Sequence, residues 1–136
     1  MNSSLRRKLE EIEKTIKKLI SQSDSGVPII VEGRRDEVAL RRLKIQGEII
    51  CLKARGDSFH DFTGDLIGDR EVAVLTDFDR EGTYLAARLV DELTHMRVKA
   101  DITAWKRLKA LCRPDVRAVE ELAEYVERLR RESASD

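Results

Sequence analysis

The sequence predicts an α/β fold, a mainly parallel sheet with helices on both faces. Three observations predict it. Short, almost wholly apolar runs alternate with longer stretches whose apolar residues recur every three or four positions, the pattern of strands alternating with helices. The runs "VPIIV" and "EVAVLT" lack a polar face, as strands buried on both sides do. At 136 residues the chain suits one domain with one core.

Each element follows in order. Ser4 to Ser21 reads as an amphipathic helix, with Leu5, Leu9, Ile12, Ile16 and Leu19 on one stripe and Glu10–Lys14 and Glu13–Lys17 as favourable pairs. Two heptads are short for a coiled coil, so packing on the chain's own domain is favoured over a dimer seam. "SQSDSG" breaks the helix. Val27–Val31 is the first strand, with Pro28 tolerated near its start. Asp36 is expected to cap a helix carrying Val38, Leu40, Leu43 and Ile45. "EIICLKA" reads as the second strand, and "RGDSFHDFTGDLIGD" as loop plus a short helix. "EVAVLT" is the third strand. A helix from about Thr83 to Met96 presents Leu85, Ala86, Leu89, Val90 and Leu93. "RVKADI" is a fourth strand candidate, and Trp105, Leu108 and Leu111 suggest another helical turn or two. A last helix from Asp115 to Arg130 carries Val116, Val119, Leu122, Ala123, Val126 and Leu129.

Composition narrows the function classes. Charged residues make up 38% of the chain, against about a quarter usually. Asn occurs once and Gln twice, and many charges with few amides is the bias of proteins from hot environments. Net charge is zero, so the whole molecule is not a basic nucleic-acid glue. Basic residues nevertheless dominate from Arg97 to Arg117, and acidic ones after Ala118. Cys51 and Cys112 make neither a zinc site nor a disulfide framework. No apolar stretch approaches a membrane span, and the N-terminus has no signal-peptide run, which predicts a soluble, cytoplasmic protein.

In parallel α/β sheets the working groups gather beyond the carboxyl ends of the strands, at a topological switch point. The first strand ends in Glu32-Gly33 and the third in Asp77-Phe78-Asp79. If those strands are neighbours, their ends lie about 5 Å apart and three carboxylates converge. Anions that close raise one another's pKa or demand a cation, and an all-oxygen donor set suits Mg²⁺ or Mn²⁺. Gly33 and Gly82 are expected to let the backbone turn tightly beside the site. Two other readings stay open on spacing alone. A strand-end Asp also serves as a simple helix cap, and phosphate-accepting receiver domains cluster acids at similar strand ends.

"IIVEGRRDEVAL", followed about forty residues later by "VLTDFDREG", resembles the Toprim domain. That domain is shared by type IA and type II topoisomerases, bacterial-type primases, a ribonuclease maturing 5S ribosomal RNA, and recombination proteins. Glu32-Gly33 with Asp36 matches the first half of its pattern; Asp77, Asp79 and Gly82 match the second. Gly56 sits where the family often carries a loop glycine. The resemblance covers about Val27 to Ile102, and the chain as a whole looks like small stand-alone Toprim proteins of archaea.

The resemblance implies a four-stranded, Rossmann-like Toprim sheet in residues 26–112. Residues 1–25 would be an N-terminal helix and linker, and 113–136 a C-terminal helix packed on the domain. It implies that Asp77 and Asp79 hold Mg²⁺, and that Glu32 shuttles a proton or joins the coordination. Arg34, Arg35, Arg55 and Arg80 lie near the same strand ends and are candidate phosphate contacts; Ser58 and His60 follow Gly56. The tyrosine nucleophile domain of a topoisomerase and the extra modules of a primase are missing from the sequence. Tyr84 and Tyr125 fall on predicted helices and read as packing residues. The leading expectation is a Mg²⁺-dependent, nuclease-like or nucleotidyl-transfer domain acting on RNA or DNA. The competing ones are a non-catalytic metal-binding module that docks on nucleic acid or a larger complex, and a phosphoacceptor on the same sheet. A protein partner or homodimer through the N-terminal helix completes the expected contacts.

Overall fold

In a computed structural model of the chain, which describes residues 3–55 and 71–134, four parallel strands form one sheet in the order β2-β1-β3-β4. These are β1 (Ile29–Val31), β2 (Ile49–Cys51), β3 (Glu71–Val74) and β4 (Lys99–Asp101). Ile29, Ile30 and Val31, like Val72, Val74 and Leu75, are fully enclosed, which is why their runs carry no polar face. The α-helices of the described residues are α1 (Ser3–Asp24), α2 (Arg34–Arg42), the short α3 (Leu52–Arg55), α4 (Arg80–His95), α5 (Thr103–Cys112) and α6 (Leu122–Ala134). The chain moves from β1 to β2 in one direction and from β3 to β4 in the other. Right-handed crossovers therefore put α2 and α4 on opposite faces of the sheet.

The terminal helices share the sheet's core. α6 packs against both α1 and α2, and α1 also packs on α5. Leu9, Ile12, Ile16 and Leu19 are buried together with Leu122, Val126 and Leu129. The apolar stripe of α1 thus serves the chain's own core, and the dimer seam considered from the sequence loses its surface. Ion pairs tie the same helices on the outside, Glu13 to Arg130 and Glu11 to Arg107. No described helix is long and apolar enough to cross a membrane.

Three sequence expectations shift. The second strand stops at Cys51 and "LKA" begins α3, with the Lys53 amide still donating to the Glu32 carbonyl. Val38 is 59% exposed on α2 instead of buried. The last helix starts at Leu122, after a 3₁₀ turn at Val119–Glu121, because residues 117 to 120 are drawn to the strand ends described below. The short helix expected in "RGDSFHDFTGDLIGD" falls mostly outside the described residues.

Helices α1, α2 and α4 end alike, each with a residue at positive φ and the paired return bonds of a Schellman motif. Gly26 (φ 97°) takes that position after α1, but Lys44 (φ 75°) and Arg97 (φ 61°) take it after the other two. A Cβ in the left-handed region costs about 1 kcal/mol. Lys44 is exposed, so Lys44→Gly is expected to raise stability by roughly 0.5–1 kcal/mol. A urea midpoint at or below that of the parent, with unchanged slope, would refute this.

Candidate functional site

Strands β1 and β3 are direct neighbours, with Ile29 opposite Ala73 and Ile30 opposite Val74. Continuing that register sets Glu32 beside Thr76, one residue from Asp77. The chain reverses its direction of winding between these two strands, so their carboxyl ends form the topological switch point. Glu32 is only 4% exposed there. Its Oε2 accepts the Asp77 backbone N–H at 2.8 Å, and Lys53 Nζ lies 3.9 Å from Oε1. One backbone bond thus ties the acid of the first strand to the loop that carries the acids of the third.

Asp77 itself and two further aspartates, Asp79 and Asp36, stand around Glu32. Asp77 Oδ1 accepts the Val119 N–H at 2.8 Å. Asp79 is the N-cap of α4, its Oδ1 accepting the Gly82 N–H at 2.7 Å. Asp36, expected as the cap of α2, instead occupies the third helical position. Gly33 is the N-cap, and the buried Asp36 carboxylate accepts its N–H at 3.0 Å. Among the described residues no three such side chains already converge as a metal cluster; Asp77 and Asp79 each turn one oxygen to a backbone amide.

Electrostatics show what the cluster lacks. Burial, reinforced by the charges of Asp36, Glu32 and Asp79, pushes the Asp77 carboxyl up to about 7, against the pull of the Val119 N–H. Burial also raises Glu32, with Asp79 and Asp36 adding to it and the Asp77 N–H and Lys53 opposing. Asp36 is raised chiefly by burial as well. Three carboxyls raised first by burial and then by neighbouring acid charge, with the Asp79 carboxylate beside them, make this strand end short of positive charge. All their donors are oxygen, which fits a hard divalent cation such as Mg²⁺.

Residues distant in sequence hold the strand end in place. Trp105 Nε1 donates to the Thr76 carbonyl at 2.9 Å, and the fully buried Thr76 hydroxyl donates to the Gly82 carbonyl at 2.7 Å. The Phe78 N–H donates to the Arg117 carbonyl at 2.8 Å. Segment 117–120 therefore runs alongside the Asp77 loop, with the Val119 amide on Asp77 and the Glu120 amide facing Asp36. Glu121 closes the turn by accepting the amides of Arg117 and Ala118.

The chain is similar to curated proteins along most of its length. It is 41% identical over 108 residues to the UPF0292 protein of Thermoplasma volcanium, which covers 79% of this chain and 88% of that one. The chain belongs to the UPF0292 family. A UPF0292 protein of Methanosarcina barkeri is 35% identical over 127 residues (92% and 87% of the two chains), and one of Pyrococcus furiosus 39% over 121 residues (89% and 88%). These relatives are archaeal, some of them from thermophiles, in keeping with the charge-rich composition. A solved structure of an Aquifex aeolicus protein superposes with a TM-score of 0.67 at 28% identity, covering 79% of this chain and 94% of that one. No family model matches the chain.

In this UPF0292 member the remaining candidates divide. Arg34 and Arg35 are exposed on the first turn of α2, and Arg55 ends α3. Gly56, Ser58 and His60 lie outside the described residues. Arg80 opens α4 beside Asp79 and lines a cleft of about 400 Å³ with Lys109, Arg113 and Arg117, a grouping that no local sequence pattern announces. The only sequence signal was the basic excess before Arg117. Gly82 is required where it stands, because a Cβ there would overlap the Asp77 carbonyl. Gly33 is not: its φ of −146° suits any residue and a Cβ would meet open space, so the tight turn expected there is absent. Tyr125 is buried as expected and donates to Asp115 at 3.0 Å, but Tyr84 is 67% exposed and packs no core. Cys51 and Cys112 are buried thiols, pushed up by that burial to about 11 and about 12, so neither is a thiolate at neutral pH.

Proposed function

We propose that this chain is a Mg²⁺-dependent Toprim protein that cleaves or transfers phosphodiesters in RNA or DNA. The observation that carries the reading is the bond from the Asp77 N–H to Glu32 across the β1–β3 switch point, with Asp36 and Asp79 close enough to act on both carboxyls. Asp77 and Asp79 would hold the ion, with Glu32 joining them. Mg²⁺ bound there would offset the negative charge that builds on the phosphoryl oxygens during transfer. Glu32 is buried, and that burial raises its pKa, the direction that suits a group taking and returning a proton. Its hydrogen bond from the Asp77 amide keeps Oε2 oriented at the strand end.

A second reading, a metal-binding module that docks on nucleic acid or a larger complex without turnover, draws on a specific observation. Segment 117–120 leans on Asp77, and Asp79 is engaged as a helix cap. The test is incubation of Mg²⁺- or Mn²⁺-loaded protein with labelled single- and double-stranded RNA and DNA. Cleavage is expected, and Glu32→Gln is expected to lower its rate at least a hundredfold while substrate binding persists. Binding without turnover under every metal and substrate would select the docking module.

A further inference from the structure

Beside the carboxylates, and outside the segment that resembles Toprim except at its α4 end, lies a cleft that joins Asp79, Arg80 and Thr83 to Lys109, Arg113 and Arg117. Four cations face one carboxylate in a chain whose net charge is zero. Among the described residues no ion pair engages Arg80, Arg113 or Arg117. Lys109 is held ready: its Nζ donates to Thr83 Oγ1 at 2.9 Å and sits 4.9 Å from the centre of the Trp105 ring. A similar volume between α1 and α5 differs in kind, since its Arg107 is paired with Glu11. Unpaired guanidinium groups around a concave wall are the donors that phosphate oxygens select.

One turn along α4 from Arg80, on the same face, stands Tyr84 with its ring exposed. An exposed aromatic beside a basic groove is the arrangement on which unpaired bases stack, because every base offers a π-face. The cleft volume is at the low end for ligand sites, which range from about 300 to 1,000 Å³, a size that suits one nucleotide unit.

We propose that this cleft binds the phosphodiester backbone of a single-stranded nucleic acid, with Arg80, Lys109, Arg113 and Arg117 on the phosphates and Tyr84 under a base. The inference rests on the proposed function only for its direction: Asp79 lines both places, so the strand held in the cleft continues past the strand-end acids. Binding to the cleft itself needs no metal.

The test is therefore run in EDTA, by fluorescence anisotropy of short labelled single-stranded RNA and DNA and of matching duplexes. Single strands are expected to bind more tightly than duplexes. Arg80→Ala combined with Arg113→Ala is expected to weaken binding at least tenfold and to lower the salt slope by about two phosphate contacts. Tyr84→Ala is expected to weaken single-strand binding about tenfold and leave duplex binding unchanged. No single-strand binding at low salt would overturn the proposal, as would parental affinity in the double arginine variant, or duplex preference with no effect of Tyr84→Ala. The relative affinities of RNA and DNA identify which sugar the strand carries. Strand binding without cleavage would remove the enzymatic reading and leave the cleft. Cleavage indifferent to the cleft variants would do the reverse.

Discussion

Gly82→Ala is expected to destabilise the protein by about 2 kcal/mol or more and to lower Tm by several degrees. Two effects compete at this position. Gly82 lies in the first turn of α4, where alanine has the higher helix propensity by about 1 kcal/mol, and that alone would stabilise. Against it, a Cβ would overlap the Asp77 carbonyl oxygen and lie 2.6 Å from its carbonyl carbon and 2.9 Å from its Cα. Those are backbone atoms of a loop already fixed by the Glu32, Trp105 and Arg117 contacts, so no flexible side chain can swing away. Relief requires α4 to move off the strand end, which breaks the Thr76 bond to the Gly82 carbonyl and disturbs the Asp79 cap. The clash therefore wins. Gly33→Ala is the matched control. It meets open space at an ordinary φ, and its expected cost, under about 1 kcal/mol, is that of a poorer N-cap. Thermal melts of both variants decide the matter. Equal Tm values would show that the close approach of α4 to Asp77 is not what Gly82 serves.

Those two glycines also show what a sequence can reveal. Both stand next to acids in the same motif, and only contacts made across the fold tell them apart. β1 and β3 were legible because "VPIIV" and "EVAVLT" are apolar on both faces, and burial on both faces is what a central parallel strand needs. Their adjacency then followed as a condition, and it puts Glu32 against the Asp77 amide. Val119 keeps the apolar period of the last helix, which is all that the local sequence shows of it. It is indeed buried, yet its amide is spent on Asp77, a partner 42 residues away that no local pattern encodes. Leu52 continues an apolar run equally well as strand or as helix, so the end of β2 was invisible. Tyr84 lies on the side of α4 away from the buried Ala86, Leu89 and Leu93 stripe, and periodicity already contained that information. The basic cleft was half visible, as an excess of charge between Arg97 and Arg117. Its meeting with Arg80 required the chain to bring α5 beside the start of α4.

Without divalent ions, the protein is expected to be less stable at pH 8 than at pH 5, and Asp77→Asn is expected to remove much of that difference. The Asp77 carboxyl titrates at about 7 in the fold, raised by burial and by the neighbouring acids, against 3.8 when unstructured. A folded-state value above the unfolded one means that the native state holds more protons between the two. Stability therefore falls as pH rises from about 4 to about 7 and is flat beyond. Glu32 and Asp36 are shifted the same way and add to the slope. Asp101 is shifted the opposite way: burial raises it, but the bonds from Thr103 and Gln22 outweigh that, so its contribution is lost only as pH falls below the ordinary carboxylate range. It leaves the window from pH 5 to pH 8 undisturbed. Allowing for solvent screening, the loss at Asp77 is on the order of 1–2 kcal/mol. Asparagine keeps an acceptor for the Val119 N–H but carries no charge, so at pH 8 the variant should unfold at higher denaturant than the parent. Mg²⁺ should stabilise the parent at pH 8 by mass action and the variant much less, because the ion replaces the protons that the acids otherwise share. Urea titrations in EDTA at the two pH values provide the measurement. If the parent is as stable at pH 8 as at pH 5, burial and the neighbouring charges do not hold the switch-point carboxyls up in the fold, and the case for a cation among them fails.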